Sequence, residues 1–359
     1  QIKDVEEIDD LPVESRNQAI QYFDELGRPH QTVMTQGSPL GKDIVQVTVY
    51  DALGREHRKY LPVVVDAEDG FYKGGIVDGN GNFAGQALNF YNNGWSDKIA
   101  DDNKPFAETI FERSPLNRVL KQGAQGEVWQ PDGTHGLASL DKTVKAEYLL
   151  NTASDNVLKW TYTPPTTSPD WPLGMVNAGT SLSPVYFQQG YLYKSITQDE
   201  NRNQTIEFKD KLGRVILKRV QEGQSTFADT YYIYDTYSNL VCVIPPEAIS
   251  RLATEFYHPA SSNGSKDDFL DQWAFRYVYD GRNRMIIKQM PGNKPIYMVY
   301  DGRDRLVLIQ DGNQRLNSQW HFTKYDVMNR PVMTGIYTAA GTRDNLQTQV
   351  NNFYAQTPS

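Results

Sequence analysis

The chain has 359 residues, which is enough to bury a large core in one to three domains. Hydrophobic residues make up 39% of it, which excludes a disordered chain, and no apolar run approaches the about 18 residues of a membrane helix. The net charge is −8 and the basic residues are scattered among acids, which argues against a nucleic-acid groove. The single cysteine, Cys242, excludes an intrachain disulfide and a cysteine-based zinc cluster.

Taken in chain order, the elements predicted from the sequence are mostly short strands. Tyr, Gly and Pro are frequent, which is typical of strands joined by tight turns. The order is two hairpins (18–65), loops around a short helix (84–92), strands (107–130), a polar loop (131–145), strands (144–163), a Pro-rich stretch (160–174), strands (185–338) and a helix (342–356). Residues 246–273 interrupt the last run of strands with apolar residues at helical spacing, so we expect a helical insertion there.

These elements suggest three regions. We predict an N-terminal region at 1–165, a Pro-rich connector at 166–185 and a strand-rich region at 186–359. The sequence starts at Gln1 without Met or a leader and ends without a recognisable capping element. We therefore expect a piece of a longer protein, from which a signal peptide was removed or excluded.

One phrase recurs along the chain: an aromatic residue, Asp, two residues, then Gly, Asn or Asp, then Arg. Internal repeats of this kind indicate a repeated structural unit. The copies are YFDELGR (22–28), VYDALGR (49–55), FKDKLGR (208–214), VYDGRNR (278–284), VYDGRDR (299–305) and KYDVMNR (324–330), with looser copies at IYDTYSNL (233–240) and FERSPLNR (111–118).

The residue types in the phrase indicate a turn. Gly, Asn and Asp tolerate a left-handed backbone, and an Asp three residues earlier can accept hydrogen bonds from the N–H groups of the turn. The predicted left-handed residues are Gly27, Gly54, Asn117, Gly213, Asn239, Asn283, Asp304 and Asn329. The predicted turn acids and arginines are Asp24 and Arg28, Asp51 and Arg55, Asp210 and Arg214, Asp280 and Arg284, Asp301 and Arg305, and Asp326 and Arg330.

The flanks of each turn alternate as strands do, so the phrase predicts a repeated β-hairpin. A catalytic Asp–Arg pair is the alternative, but a catalytic pair occurs once in a domain whereas this pair occurs in every copy. We therefore predict a mainly β fold of successive antiparallel hairpins in a curved, spiralling sheet that forms a partial shell, with a few short helical insertions.

On these residues the chain resembles the YD repeats of bacterial Rhs proteins, and it is similar to the repeats of teneurins and toxin-complex shell proteins. The resemblance covers 205–337 and 18–65. LNFYNNGWSDKIADD (88–102) and RSPLNRVLKQGAQGEVWQPDG (113–133) resemble the region of unknown function that precedes the repeats in Bacteroidota Rhs-type proteins. The resemblance implies a hollow β-shell around a C-terminal payload, a secreted or cell-surface location in a Gram-negative bacterium, and the rest of the same polypeptide as partner, with secretion machinery or surface glycans as further partners.

No other stretch predicts a cofactor, a metal or a catalytic centre. Asp78-Gly79-Asn80-Gly81-Asn82 starts like a calcium loop but lacks Gly at the sixth position and Glu at the twelfth, so a Gly/Asn loop is preferred. The five histidines have no metal-ligand spacing, and the common hydrolase, phosphate-binding and dinucleotide-binding motifs are not found. The self-cleaving protease segment known from Rhs proteins has no counterpart before Ser359.

Three functions therefore remain open. The first is a non-enzymatic structural segment of a β-shell, because hairpins bury their apolar faces by stacking on their neighbours. The second is a surface module that binds carbohydrate or protein through aromatic residues. Trp171, between two prolines, is the glycan-binding candidate, and the further aromatics are Trp95, Trp129, Trp160, Trp273, Trp320, Tyr191 and Tyr193. The third and weakest is a hydrolase built on 66–145.

Overall fold

The computed structural model describes residues 11–12, 16–92, 99, 101–134, 136–165, 173, 175–179, 183–257 and 263–356, with side chains from 266 onward in the last range. The chain divides into two compact units. Unit 1 contains Gln1–Glu147 and Ile196–Gln204, and unit 2 contains Tyr148–Ser195 and Thr205–Ser359. None of the described helices is long and apolar enough to span a membrane.

The fold is mainly β, and its strands are short. Their bounds are β1 Gln18–Phe23, β2 Pro29–Thr35, β3 Ile44–Tyr50, β4 Glu56–Tyr60, β5 Val63–Val64, β6 Phe106–Phe111, β7 Val119–Gly123, β8 Val144–Leu150, β9 Thr161–Thr163, β10 Met175–Asn177, β11 Tyr193–Gln198, β12 Gln204–Lys209, β13 Val215–Gln221, β14 Phe227–Tyr234, β15 Leu240–Ile244, β16 Phe275–Tyr279, β17 Met285–Gln289, β18 Ile296–Tyr300, β19 Leu306–Gln310, β20 Gln319–Tyr325 and β21 Pro331–Thr338.

All the strand pairs with a determined register are antiparallel. In unit 1, β1 pairs with β2, β2 with β3, β3 with β4 and β5, β4 with β6, β6 with β7, and β7 with β8. In unit 2, each strand from β12 to β21 pairs with the next one along the chain, and β9 pairs with β10 separately. The predicted fold of successive antiparallel hairpins is confirmed.

Helices occupy only a small part of the chain. They are α1 Gly85–Asn92, α2 Pro246–Arg251, α3 Asn263–Trp273, α4 Gly312–Leu316 and α5 Arg343–Gln356, and a π-helical turn, Leu252–Phe256, follows α2. Pro246 lies in the first turn of α2, where a missing N–H breaks no helical hydrogen bond. The short predicted helices at 84–92, within 246–273 and at 342–356 are therefore present.

Each unit has an apolar core beneath its strands. In unit 1, Val33, Val45 and Phe106 are fully buried, and Tyr91 of α1 packs among them. In unit 2, Trp320 and Val299 are fully buried, and α5 contributes Leu346 to the same cluster. Helices α1 and α5 thus cover apolar strand residues that would otherwise face water.

A repeated turn closes the hairpins. In β16–β17 the N–H of Asp280 donates to the Arg284 carbonyl (3.0 Å) and the N–H of Asn283 donates to the Asp280 carbonyl (2.9 Å). Asn283 has a φ of 58°, and the strand register shifts between Val278 and Tyr279. This is a type I turn followed by a left-handed residue in a bulge. The same backbone hydrogen bonds recur at the turns that begin with Asp24, Asp51, Asp210, Asp235, Asp301 and Asp326.

Successive connections in an antiparallel meander lie alternately at one end and at the other end of the strands. In unit 2 the Asp turns join β12 to β13, β14 to β15, β16 to β17, β18 to β19 and β20 to β21, so they all lie at the same end of the strands. The intervening connections, which include α2, α3 and α4, lie at the opposite end of the strands. The Asp turns of unit 2 therefore form a row at one end of the strands, which we call the turn row.

Candidate functional site

The carboxylate of each repeat organises its own turn. Asp280 Oδ1 accepts hydrogen bonds from the backbone N–H groups of Arg282 (2.9 Å) and Arg284 (3.0 Å), and Oδ2 accepts one from Arg284 Nε (2.8 Å). These bonds satisfy two N–H groups that the strand ladder leaves unpaired at the loop, and they fix the arginine side chain. The same three bonds are present at Asp24, Asp51, Asp210, Asp301 and Asp326.

Hydrogen bonds to the charged form of a carboxyl group favour its ionisation. The backbone and side chain of Arg28 lower the pKa of Asp24. Burial alone would raise the pKa of Asp280, but hydrogen bonds from Arg284 outweigh it and the pKa is lowered. In the looser copy, the side chain of Arg118 is the main cause that lowers the pKa of Glu112 to about 2. A general acid needs a pKa near the working pH, so none of these three carboxyls suits that role.

The depressed pKa of Glu112 predicts that its contribution to stability is lost in acid. Glu112 is ionised in the folded chain down to about pH 2, whereas its ordinary pKa is 4.5. A carboxyl whose pKa is lower in the folded state stabilises the fold above its unfolded pKa, and this contribution is lost as the pH falls from 4.5 through 2. We expect Glu112→Gln to flatten this part of the stability profile, measured by urea unfolding at pH 6, 4 and 3. Equal losses of stability between pH 6 and 3 in both proteins would contradict the assignment.

Several of these arginines also reach the turn of the neighbouring hairpin. Arg284 Nη1 donates to Asp304 Oδ1 (2.8 Å) and to the Asp301 carbonyl (3.3 Å). Arg305 Nη1 makes the same pair of bonds, to Asn329 Oδ1 and the Asp326 carbonyl, both at 3.1 Å. The guanidinium thus joins two hairpins through groups on both of its sides. The equivalent contacts elsewhere are Arg55 to Asn117 Oδ1 and the Glu112 carbonyl, and Arg214 to Ser238 Oγ and the Asp235 carbonyl.

In the turns that receive an arginine from the preceding hairpin, the aromatic residue before the acid completes the junction. The Arg284 guanidinium lies 5.0 Å from the centre of the Tyr300 ring, and the Tyr300 hydroxyl donates to the Met285 carbonyl (2.8 Å). The ring therefore binds the preceding hairpin through a cation–π contact and a hydrogen bond. The same cation–π pairing joins Arg28 to Tyr50, Arg55 to Phe111, Arg214 to Tyr234 and Arg305 to Tyr325. The same hydroxyl bond joins Tyr50 to the Pro29 carbonyl, Tyr234 to that of Val215 and Tyr325 to that of Leu306.

Removing one of these hydroxyls is expected to weaken the fold measurably. Tyr300→Phe keeps the ring beneath Arg284 but leaves the Met285 carbonyl without this donor, so we expect a loss of about 0.5–1.5 kcal/mol in the free energy of unfolding. Urea unfolding measures the loss. Tyr237→Phe is the control, because Tyr237 lies at an exposed turn tip. Equal stabilities of the two variants would show that the hydroxyl contributes nothing to the junction.

Within each unit, the sequence-predicted acids and arginines lie in separate turns and not around a common centre. Each of the six carboxylates binds its own turn and its own arginine, and successive turns belong to successive hairpins. Gly27, Gly54, Gly213, Asn283, Asp304 and Asn329 have φ between 58° and 81°, in the left-handed region. The geometry is that of a connector between hairpins.

Sequence reasoning missed two turns and misplaced one residue. Asp78 and Asp199 initiate the same turn, with Gly81 and Arg202 at positive φ. Their last positions hold Asn82 and Asn203 where the six regular copies have Arg, so the Arg pattern did not find them. The prediction of Asn239 as the left-handed residue is wrong: Ser238 has a φ of 68°, and Asn239 occupies the Arg position. The signal that includes all three is Asp followed at the fourth position by Asn or Arg.

The stretch that starts like a calcium loop is one of these turns. Asp78 Oδ1 accepts hydrogen bonds from the N–H groups of Asn80 (2.9 Å) and Asn82 (2.8 Å), and Val77 pairs with Phe83 across the turn. This carboxylate oxygen is therefore already bound by the backbone. Over the described ranges, no group of three His, Cys, Asp or Glu residues is arranged to hold a metal ion.

A cluster of buried charges in unit 1 consists of Lys121, Lys145 and Asp141. Lys121 Nζ lies 2.5 Å from Asp141 Oδ2, and Lys145 Nζ lies 3.0 Å from Asp141 Oδ1. Lys121 also contacts Asp132 (3.1 Å) and Ser139 (2.9 Å). Burial would raise the pKa of Asp141, but the two lysines and the neighbouring hydrogen bonds lower it well below its usual range. A carboxylate held ionised between two ammonium groups is a structural tie between β7, the following loop and β8, and it is poorly suited to acid–base catalysis in the 66–145 region.

A small cavity lies beside the turn row in unit 2. Its volume is about 150 Å³, and Trp160, Phe187, Arg214 and Tyr232 are among the residues that line it. Ligand pockets usually have volumes of about 300–1,000 Å³, so this cavity is too small for a typical substrate.

The aromatic side chains considered for glycan stacking have different environments. Trp171 and Trp95 lie outside the described residues. Trp320 is fully buried and Lys142 lies over Trp129. Tyr191 and Tyr193 are more than half exposed, and Lys211 Nζ lies 5.5 Å from the centre of the Tyr191 ring. This tyrosine pair is therefore one exposed aromatic surface in unit 2 that is available for stacking.

Comparison with known proteins gives one family match and several structural similarities. The model of a family described as a domain of unknown function, DUF6443, matches residues 1–143. Similar solved structures include the TcdB2-TccC3-Cdc42 structure (TM-score 0.48, 12% identity, 90% of this chain and 13% of that chain). A TcdB2-TccC3 structure without its hypervariable C-terminal region has a TM-score of 0.49 at 12% identity, over 93% of this chain and 14% of that one.

A third similar structure is a Tc holotoxin pore of Photorhabdus luminescens (TM-score 0.48, 11% identity, 93% and 14%). The chain thus spans about one seventh of the length of these solved chains. No match was found among curated proteins.

Proposed function

We propose that the chain is a non-enzymatic structural segment of a YD-repeat β-shell that encloses or carries a C-terminal payload of the polymorphic-toxin type. The observation that supports this most is the turn row, in which Arg214, Arg284 and Arg305 each bind the turn that follows them in the row. Such contacts join the hairpins into one continuous sheet, which we call the wall. Each added hairpin of the same kind extends this sheet. The resemblance of the repeats to those of Rhs proteins supports the same function, together with a secreted or cell-surface location.

The experiment that tests enclosure uses the whole natural polypeptide. We expect the coding sequence after Ser359 to continue with further repeats and a C-terminal segment. Limited proteolysis followed by mass spectrometry is expected to leave that segment intact while the wall is folded. Asp301→Ala, which removes a buried turn carboxylate, is expected to expose the segment to protease, and the exposed turn tip variant Tyr237→Phe is not. A stop codon directly after Ser359, or equal digestion of the segment in the wild type and Asp301→Ala, would refute the proposal.

The exposed pair Tyr191 and Tyr193 favours one alternative, a surface module that binds carbohydrate or protein. Tyrosine rings with an exposed face stack on sugar rings, and a nearby ammonium can donate hydrogen bonds to hydroxyl groups. A glycan array with the purified chain tests this function. Binding that Tyr193→Ala or Trp171→Ala abolishes would establish it, and an array without signal would exclude carbohydrate as the ligand.

A further inference from the structure

The turn row of unit 2 has a last member, and its arginine differs from the others. Arg305 binds the following turn and its side chain is only 13% exposed, whereas the side chain of Arg330 is 74% exposed. Arg330 Nε donates to Asp326 Oδ2 within its own turn, as in every copy. Within the part of the chain that the structure describes, no further turn follows Arg330 in the row. The face of its guanidinium that carries the junction in the other copies is therefore presented to solvent.

The strand that begins beside Arg330 is also open. Over the described residues, β21 forms a ladder with β20 alone, so its other edge presents unpaired N–H and C=O groups. Val332, Met333, Ile336 and Tyr337 are all exposed on it. In β19, an internal strand, Val307 and Leu308 are buried. Edge strands of soluble proteins are usually protected by charged residues, but β21 contains none.

We propose that β21 and Arg330 form a docking surface for one further strand–turn–strand unit whose turn carries Tyr, Asp and a left-handed Asn, Asp or Ser. The first strand of this unit pairs with the open edge of β21. Its tyrosine ring lies on the Arg330 guanidinium and its hydroxyl donates to the Pro331 carbonyl, the counterpart of the Met285 and Leu306 carbonyls. Arg330 Nη1 donates to the carbonyl of the Asp and to the side-chain oxygen of the left-handed residue. This inference rests on the proposed wall and adds the recognition rule for its next unit.

The internal junctions indicate why this occupant is preferred to an unrelated surface. At Arg214, Arg284 and Arg305 the partner combines an aromatic ring, an Asp carbonyl and a side-chain oxygen, contributed by Ser238, Asp304 or Asn329. A guanidinium has five donors in a fixed plane and two stacking faces, so it is satisfied by such a set. A Gly at the left-handed position offers no side-chain oxygen, so the rule predicts weaker docking for turns that end in Gly-Arg.

The test supplies one repeat of the chain in trans. A backbone-cyclised, fluorescein-labelled peptide with the sequence of residues 296–310, IYMVYDGRDRLVLIQ, presents Tyr300, Asp301 and Asp304 in a preformed hairpin. Fluorescence anisotropy with the full chain is expected to give saturable binding. Arg330→Ala in the protein is expected to weaken binding at least about tenfold, which corresponds to about 1.4 kcal/mol. Arg303→Ala, which removes an exposed arginine from the tip of an internal turn, is the matched control and is expected to bind like the wild type.

Changes in the peptide test the recognition rule. Tyr300→Ala in the peptide is expected to abolish binding, and Asp304→Gly is expected to weaken it. Hydrogen exchange read by mass spectrometry is expected to slow at the amides of Val332–Thr338 when the peptide is added. No binding, equal binding by the Arg330→Ala and Arg303→Ala proteins, or unchanged exchange in β21 would each overturn the proposal.

Two further outcomes separate the alternatives. A concentration-dependent dimer of the chain alone in sedimentation velocity, lost in Arg330→Ala, would make a second copy the occupant and would overturn the assignment of a repeat unit. Protease sensitivity of the C-terminal segment in the whole polypeptide, together with intact peptide docking, would refute enclosure and leave the docking surface standing.

Discussion

Replacing Asp141 with alanine is expected to lower the free energy of unfolding by about 3–5 kcal/mol, because it leaves two buried lysines without their shared carboxylate. Lys121 and Lys145 are among the least exposed charged residues of the chain, and both bind Asp141 directly. Desolvated ammonium groups have no water to replace a lost partner. Urea unfolding followed by circular dichroism measures the loss.

The control for Asp141 is Asp344→Ala. Asp344 also forms an ion pair, with Arg343 at 2.5 Å, but its side chain is almost fully exposed, so water can replace the contact. We expect its stability to match that of the wild type. Similar small effects for Asp141→Ala and Asp344→Ala would show that water reaches the lysine cluster and that the cluster is not a structural tie.

A second large effect is expected for Asp301→Ala, at about 3 kcal/mol. Asp301 is buried, and its carboxylate accepts from the N–H groups of Arg303 (2.9 Å) and Arg305 (3.0 Å) and from Arg305 Nε (2.7 Å). The substitution leaves two N–H groups and a largely buried guanidinium without this acceptor. The double variant Asp301→Ala/Arg305→Met is expected to recover part of the loss, because it also removes the orphaned charge.

Asp326→Ala is the matched control for Asp301→Ala. Asp326 makes the same three bonds, to the N–H groups of Met328 and Arg330 and to Arg330 Nε. Because Arg330 is exposed, water can solvate it when the carboxylate is removed, so we expect a clearly smaller loss than at Asp301. Equal losses at the two positions, measured by the same urea titration, would show that the turn bonds alone and not the burial of the junction determine stability.

The sequence predicted the hairpins well because their determinants are local. Asp301, Asp304 and Arg305 lie within five residues, and their types are sufficient to specify the turn and the left-handed residue. The contact between Arg305 and Asn329 could not be predicted in the same way, because it requires knowing which hairpin lies beside which. The lysine cluster was missed for a similar reason, since no local pattern around Lys121 indicates that it is buried.

The connections at the two ends of the strands in unit 2 differ in how much added length they tolerate. The step between Asp235 and Asp280 contains α2, the π-helical turn and α3, yet Asn239 Nδ2 still donates to Asn283 Oδ1 (3.1 Å) across it. Added length at the end of the strands that carries the helices therefore does not interrupt the contacts of the turn row at the other end. The loop at 222–226 joins β13 to β14 at the same end of the strands as those helices. A foreign domain inserted in this loop is therefore expected to leave the strand register and the turn row unchanged.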